Sequence, residues 1–415
     1  MIELGKETER EMPWFLRMIL SFLPVLLLAY LYSGWKLFDA LIRVLSWPKD
    51  QVRLYLAAGI GYLNLHPVAL FLLNFVGLKS FTKSVHQGIK IWDILFSYPF
   101  WFGLILVAEV LPWILLVDLI KFPLLPFFKK YKSSWLDIQS IVFMTLTLLF
   151  AFYILIRTFL DTNNIRLSKV VYATTEIPAT LDGLTIVHIS DVQADPRTRK
   201  RKLRSYINKV NKLKPDLIFF TGDLVTSGTE YIEMGAQALG NLQAKYGTYA
   251  CLGDHDYWAG EQEVIHSLER NGVTVLEDSN YFVRVGFDSL LVTFVTNVYS
   301  KRPTLDKLNA LMGSQPRGVL DILVTHQPSE NLVEMSAERG YHLFFAGHTH
   351  GGQIVFRPFG FTFTLSRLES PFFRGFQYFQ QMLVSINNGL GLTFAPFRYR
   401  APAEISLILI KRLSS

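Results

Sequence analysis

Across 415 residues, 50% of them hydrophobic and only 18% charged, the mean hydropathy of +0.27 excludes an ordinary soluble globular protein. A net charge of +7 favours anionic surfaces such as phospholipid headgroups. No nucleic-acid recognition motif accompanies that charge, so nucleic acid is not an expected partner. The single cysteine, Cys251, excludes an intramolecular disulfide and a cysteine-built metal cluster.

The apolar excess lies almost wholly before residue 160. Four stretches, 14–33, 54–78, 94–119 and 138–159, reach the ~20 residues that cross a bilayer as helix. Basic and aromatic residues bound them, among them Lys79, Lys90, Trp35, Trp47, Trp92 and Trp135, as interfacial anchors do. Residues 1–160 are therefore expected to form a multi-pass α-helical transmembrane region, with the plasma (inner) membrane as its location. The first apolar stretch is too long for a cleaved signal, and further spans follow it. Orientation stays open. Basic residues on one side, from Lys6 and Arg10 to Arg166 and Lys169, number nine against eight on the other, a difference too small for the positive-inside rule.

Two features of this region carry paired readings. Glu109 falls inside the third span, where a carboxylate costs about 3 kcal/mol. It either lines a polar cavity or hydrogen-bonds a neighbouring helix. The segment Trp35 to Trp47 reads either as an amphipathic helix along the interface or as a rigid loop.

After a linker over 161–180, short strands alternate with helices through 181–415. Strands are expected at 184–189, 217–221, 248–252, 290–295, 322–325, 342–345 and 405–410, and helices at 202–212, 261–270 and 329–339. That alternation marks an α/β layered domain. Residues of one chemical kind stand at five of the strand ends. They are Asp191 and Gln193, then Asp223, then Asp254, His255 and Asp256, then His326, and last His348 and His350. Strand ends gather active-site residues because the sheet holds converging loops rigid. Carboxylates, an amide oxygen and imidazoles suit manganese, iron or zinc. His188, His266 and His342 are read as structural.

The runs Asp191-Val192-Gln193, Gly222-Asp223, Gly253-Asp254-His255-Asp256, His326 and Gly347-His348-Thr349-His350 occur in an order and spacing that resemble the calcineurin-like metallophosphoesterases. The likeness continues through Asn388-Gly389-Leu390-Gly391 to Glu404-Ile405. It implies a four-layer αββα sandwich of two mixed sheets and a centre of two divalent metal ions. Carried over residue by residue, it implies that Asp191, Gln193 and His350 hold one metal. Asp254, His326 and His348 would hold the other, with Asp223 bridging. His255 would be the general acid and Asp256 its orienting partner. Gln193 stands where the family has histidine, and Asp254 where it has asparagine. An oxygen-richer site shifts preference towards manganese or magnesium.

The resemblance implies hydrolysis of a phosphate ester or pyrophosphate. The apolar region points to a phosphorylated, amphiphilic, lipid-type substrate at the bilayer. The competing reading, supported by Gln193 alone, is a catalytically impaired membrane receptor or scaffold that binds a phosphorylated ligand. The basic run from Arg197 to Arg204 is either a solvated helix face or a headgroup contact. Residues 359–379, rich in phenylalanine, either form a hydrophobic lid touching acyl chains or the bilayer, or pack against a sheet edge.

Overall fold

The structure, a computed structural model, describes residues 14–121, 125–313 and 317–413. Lys6 and Arg10, used above to weigh orientation, lie outside the described residues. The chain divides into two compact units. One holds the described residues up to Thr158 together with Phe356–Phe363 and Phe394–Pro396; the other holds Phe159–Val355, Thr364–Thr393 and the chain from Phe397 on.

In the first unit, helices α1 (Trp14–Leu45), α2 (Lys49–Leu63), α3 (Leu65–Phe75), α4 (Lys79–Gly88), α5 (Tyr98–Ile120) and α6 (Leu125–Asn163) follow in order, α6 ending in the second unit. Ser21–Leu45, Lys90–Ile120 and Tyr131–Asn163 are each long and apolar enough to cross a membrane, and α2 with α3 makes a fourth candidate bent by 53°. That second apolar stretch, expected as one continuous span, breaks for a local reason. Pro67 offers no N–H, and its ring clashes with the carbonyl four residues back, at Leu63 where α2 stops. The Trp35–Trp47 segment is neither a separate interfacial helix nor a loop, because α1 runs unbroken to Leu45. Lys36 sits inside that continuation, its Nζ 2.6 Å from the Asp118 carboxylate, so the charge is paired. Glu109 is buried among the helices.

The second unit holds strands β1 (Ile165–Thr174), β2 (Thr185–Ile189), β3 (Leu217–Phe220), β4 (Thr248–Ala250), β5 (Thr274–Val275) and β6 (Ser279–Val285). Strands β7 (Asp288–Val295), β8 (Asp321–Thr325), β9 (Leu343–Ala346), β10 (Gly375–Phe379), β11 (Met382–Ile386) and β12 (Ala403–Arg412) complete it. They form two six-stranded mixed sheets in the orders β1-β12-β2-β3-β4-β5 and β10-β11-β9-β8-β7-β6. The expected linker at 161–180 is instead largely β1, paired in parallel with β12 over its whole length.

Strand alternation builds the layers. Ile186 on β2 joins Phe219, Phe294, Val324, Phe345 and Ile408 between the sheets. Its neighbours Val187 and Ile189 face outward with Leu203, Ile207, Ile232 and Leu268 of the helices Lys200–Asn211, Ile232–Gly240 and Asp254–Arg270. The second sheet is covered in the same way by Met312, Leu332 and Val333. Helices thus flank both sheets, which is the four-layer αββα arrangement. His188 crosses the middle, its Nδ1 2.9 Å from Ser385 Oγ on one sheet and its Nε2 3.0 Å from Thr221 Oγ1 on the other. Burial pushes it down to about 3, so it stays neutral and serves the packing, as read from sequence.

Candidate metal centre

The loops that follow β2, β3, β4, β8 and β9 converge, and each brings the side chains expected of it. His350 Nε2 lies 3.3 Å from Asp191 Oδ1. His326 Nε2 lies 3.5 Å from Asp223 Oδ1 and 3.4 Å from Asp254 Oδ2. His348 Nδ1 lies 3.1 Å from Asp254 Oδ2. Two groups have donor atoms close enough to share an ion: Asp191 with Asp223 and His326, and Asp254 with His326 and His348. Gln193 joins the first, its amide nitrogen donating to Asp223 Oδ2 at 2.9 Å.

The backbone at these positions is strained. Asp191 (φ 48°), Gln193 (49°), Asp223 (62°), His348 (67°) and His350 (50°) all occupy the left-handed region, which side chains rarely adopt without compensation. Glycine makes room beside them. A Cβ on Gly253 would meet His326 Cε1 at 2.7 Å and the Asp223 nitrogen at 2.5 Å.

Electrostatics set the character of the site. Burial raises the Asp223 carboxyl to about 7, with repulsion from Asp191 and Asp254 adding to it against the pull of His326. Burial would raise Asp191 and Asp254 too, but His350 holds the first, and His326 and His348 the second, below the usual carboxylate range. His348 rises to about 9 despite burial, because Asp254 and Glu369 face it. Metal ions fit these residues. Among the described residues, Asp191 Oδ1, Gln193 Oε1 and His326 Nε2 are buried with no hydrogen-bond partner, and they belong to a donor set of hard oxygens and imidazoles.

The residues around the donors include several that sequence reading did not single out. The Thr221 carbonyl accepts from His326 Nδ1 at 2.6 Å, which turns Nε2 towards the carboxylates. Gln327 Nε2 donates to Asp254 Oδ2 at 2.7 Å and the Tyr299 N–H to Oδ1 at 2.6 Å. Glu369 stands 3.1 Å from His348 Nε2. Arg398, fully buried, donates to the carbonyls of His350, Gly389, Gly391 and Ala401. Nothing in its local sequence signals that role.

One expected role is corrected. Asp256 does not hold the His255 ring. Its carboxylate accepts the backbone N–H groups of Asp223 and Leu224 at 2.8 Å and of Gly253 at 2.9 Å, tying two ligand loops together. His255 Nδ1 donates instead to the Thr226 carbonyl, and Thr226 is anchored by its hydroxyl to Asp195 Oδ2 at 2.8 Å. The spacing Asp191-x-Gln193-x-Asp195 was the available signal. Adjacent residues on a helix diverge in direction, so the His255-Asp256 neighbourhood misled. His255 Nε2 is left facing the cluster, 3.9 Å from Asp223 Oδ2.

Comparison with known proteins finds likenesses to part of this chain. Residues 184–352 match the family model described as calcineurin-like phosphoesterase. A zebrafish (Danio rerio) transmembrane protein with metallophosphoesterase domain is 28% identical over 253 residues, 57% of this chain and 55% of that one. An uncharacterized metallophosphoesterase of Campylobacter jejuni is 27% identical over 300 residues, covering 71% of this chain and 76% of its own. The chain thus spans about half the length of the zebrafish relative. A solved structure described as a novel archaeal phosphodiesterase covers 50% of this chain and 84% of its own at 14% identity, with a TM-score of 0.29. The fold assignment rests on the two sheets and the family match.

Proposed function

We propose that this chain, a calcineurin-like metallophosphoesterase by its residues 184–352, hydrolyses a phosphate ester or pyrophosphate bond in an amphiphilic, lipid-type substrate at the membrane its helices cross. The observation that carries the hydrolase reading is the convergence of seven metal-type side chains with unpartnered, buried acceptors among them. Asp191, Gln193 and His350 would hold one divalent ion and Asp254, His326 and His348 the other, with Asp223 shared. Such a pair supplies Lewis acidity and a water of lowered pKa, and the oxygen-rich donor set favours manganese or magnesium.

The chain's own groups do the rest. His255, with Nδ1 fixed on the Thr226 carbonyl, presents Nε2 to the substrate and passes a proton to the leaving oxygen. Asp256 keeps the loops of Asp223 and Asp254 in register through its three backbone contacts. Glu369 and Arg398 fix the rings of His348 and His350.

Support for a membrane substrate comes from where the ligand loops lead. Phe356–Phe363 and Phe394–Pro396 group with the apolar helices. There the Phe359 ring lies 4.9 Å from Trp113, and Phe394 lies 6.4 Å from Trp101. About six residues, roughly 20 Å of chain at full extension, connect His350 to Phe356. A multi-pass anchor in the plasma membrane suits a substrate met at the bilayer.

The test is hydrolysis of bis-p-nitrophenyl phosphate by the full chain in detergent, titrated with manganese. Manganese-dependent turnover is expected, falling about 10²- to 10⁴-fold in His255→Ala. No turnover with any divalent ion in a folded sample would refute the hydrolase reading and leave a binding protein for phosphorylated ligands. Turnover of soluble diesters with none of any phospholipid would refute the lipid part alone.

A further inference from the structure

Residues Phe356–Phe363 close on themselves as a hairpin, the N–H of each end donating to the carbonyl of the other at 2.9 Å. The turn at Pro358–Gly360 places Phe359 at φ 51° and Gly360 at 89°. A phenylalanine is a poor choice for a left-handed turn position that asparagine or glycine fills without strain. Its ring stands against Trp113 of α5, whose extended run Lys90–Ile120 has the highest hydropathy of the candidate spans, 2.3.

The remaining rings find little cover. Phe361 is 77% exposed and Phe363 51%, neighbouring apolar side chains of one hairpin and of the kind that marks a membrane or partner contact. Arg357 of the same hairpin is exposed, which matches the anionic phosphate level of a lipid layer beside its hydrocarbon. The residues that follow the hairpin are fastened to the metal loop. Thr364 Oγ1 donates to the Gly352 carbonyl and Ser366 Oγ to that of Thr349, both at 3.1 Å. Glu369 then reaches His348. Of the earlier pair of readings for the phenylalanine-rich stretch, packing against the sheet holds for its later part, since Phe372 is buried and Phe379 packs against the outer core of the second sheet.

We propose that the 356–363 hairpin penetrates the acyl layer of the bilayer. Phe359, Phe361 and Phe363 lie among the lipid chains and Arg357 at the phosphate level. The contact of Phe359 with Trp113 of the apolar α5 and the exposed Arg357 beside it single out lipid over a second copy of the chain. On the reading of a lipid substrate, the hairpin holds the chain at the layer in which that substrate lies.

Cys251 is the one cysteine of the chain and is buried, which makes a depth measurement direct. In the full chain with Cys251→Ser, a nitroxide is attached at Phe361→Cys, or as control at Phe287→Cys, where the native side chain is 98% exposed. Each protein is reconstituted in liposomes of phosphatidylethanolamine and phosphatidylglycerol. Power-saturation spectroscopy should show the label at 361 open to oxygen and shielded from a water-soluble nickel chelate, with the reverse at 287. A label at 361 as open to the chelate as the control overturns the proposal. Shielding from both reagents overturns it as well and indicates a protein partner.

This measurement uses no substrate, so it stands or falls apart from the hydrolase reading. The second arm compares Phe361→Asp with the unaltered chain. Hydrolysis of a vesicle-embedded phosphodiester lipid should fall tenfold or more, with turnover of bis-p-nitrophenyl phosphate in detergent unchanged. An equal loss on both substrates, or on neither, contradicts the proposed role.

Discussion

Arg398 offers the sharpest check on how the centre is held, because it lies outside every motif and touches no proposed reaction atom. Its guanidinium donates to four carbonyls, and burial pushes it down only to about 10, so it remains charged at neutral pH. The carbonyls of His350 and Gly389 also accept from the N–H groups of Gln353 and Glu404. Among the described residues, those of Gly391 and Ala401 accept from Arg398 alone. Arg398→Met keeps most of the volume and strands these two acceptors, at ~1–3 kcal/mol each. Relief of the buried charge offsets part of that, leaving a net loss of about 2 kcal/mol. For a domain of this size the melting temperature should fall by roughly 4–8 °C. The effect on metal should be larger in proportion. The Gly391 and Leu390 N–H groups hold the Asp191 carbonyl at 2.7 and 3.2 Å, so releasing that turn loosens one half of the donor set. Manganese activation should weaken ~10- to 100-fold, as for other supporting residues of metal sites. Thermal melting in detergent and manganese titration of hydrolysis read the two effects. A Met variant that melts within ~1 °C of the parent, with unchanged manganese dependence, would refute the reasoning. A lower melting temperature with unchanged manganese dependence would reduce Arg398 to a packing residue.

Three further expectations follow from the same contacts. Gln193→His should preserve or raise hydrolysis and tighten manganese, since imidazole is the stronger donor; loss of activity would remove Gln193 from the ligand set. Asp195→Asn places an amide against three donors, the Thr226 hydroxyl and the N–H groups of Arg197 and Thr198. It should lower kcat about tenfold through the shifted Thr226 carbonyl, with KM and manganese activation held; a change in KM alone would contradict that route to His255. Chelation should lower the melting temperature by roughly 5–10 °C, since an ion at 100-fold its Kd contributes about 2.7 kcal/mol, and manganese should restore it. Melting curves insensitive to both treatments would mean that the cluster holds no ion.

The converging side chains were legible in the sequence because each occupies the end of a short apolar strand, a pattern that survives without any knowledge of pairing. Features that depend on distant partners were not. Strand β1 has a mixed pattern of exposure and gains its place from β12, over 200 residues away in the chain, so locally it resembles a linker. The break at Asn64 was visible as Pro67, yet hydropathy averaged over a window passes across a kink. Asp256 was recognised as part of the centre and given the wrong partner, because adjacency in sequence was taken for contact on a helix. Thr226, Tyr299 and Gln327 act through loops that meet only in three dimensions, and no local spacing announces them.

The strain at the donors explains why those unannounced contacts matter. Five proposed ligands hold left-handed backbone conformations, each costing on the order of 1–3 kcal/mol. Their sum is comparable with the whole stability of an ordinary domain. Such a cluster persists only if the surrounding chain over-determines it. Asp256 does so with three backbone N–H groups, Arg398 with four carbonyls, and Gly253 by leaving space where any side chain would collide with Asp223 and His326. The identity of one ligand can then vary, as at Gln193, while the loops keep their shape. The frame, more than any single donor, is what a substitution must spare.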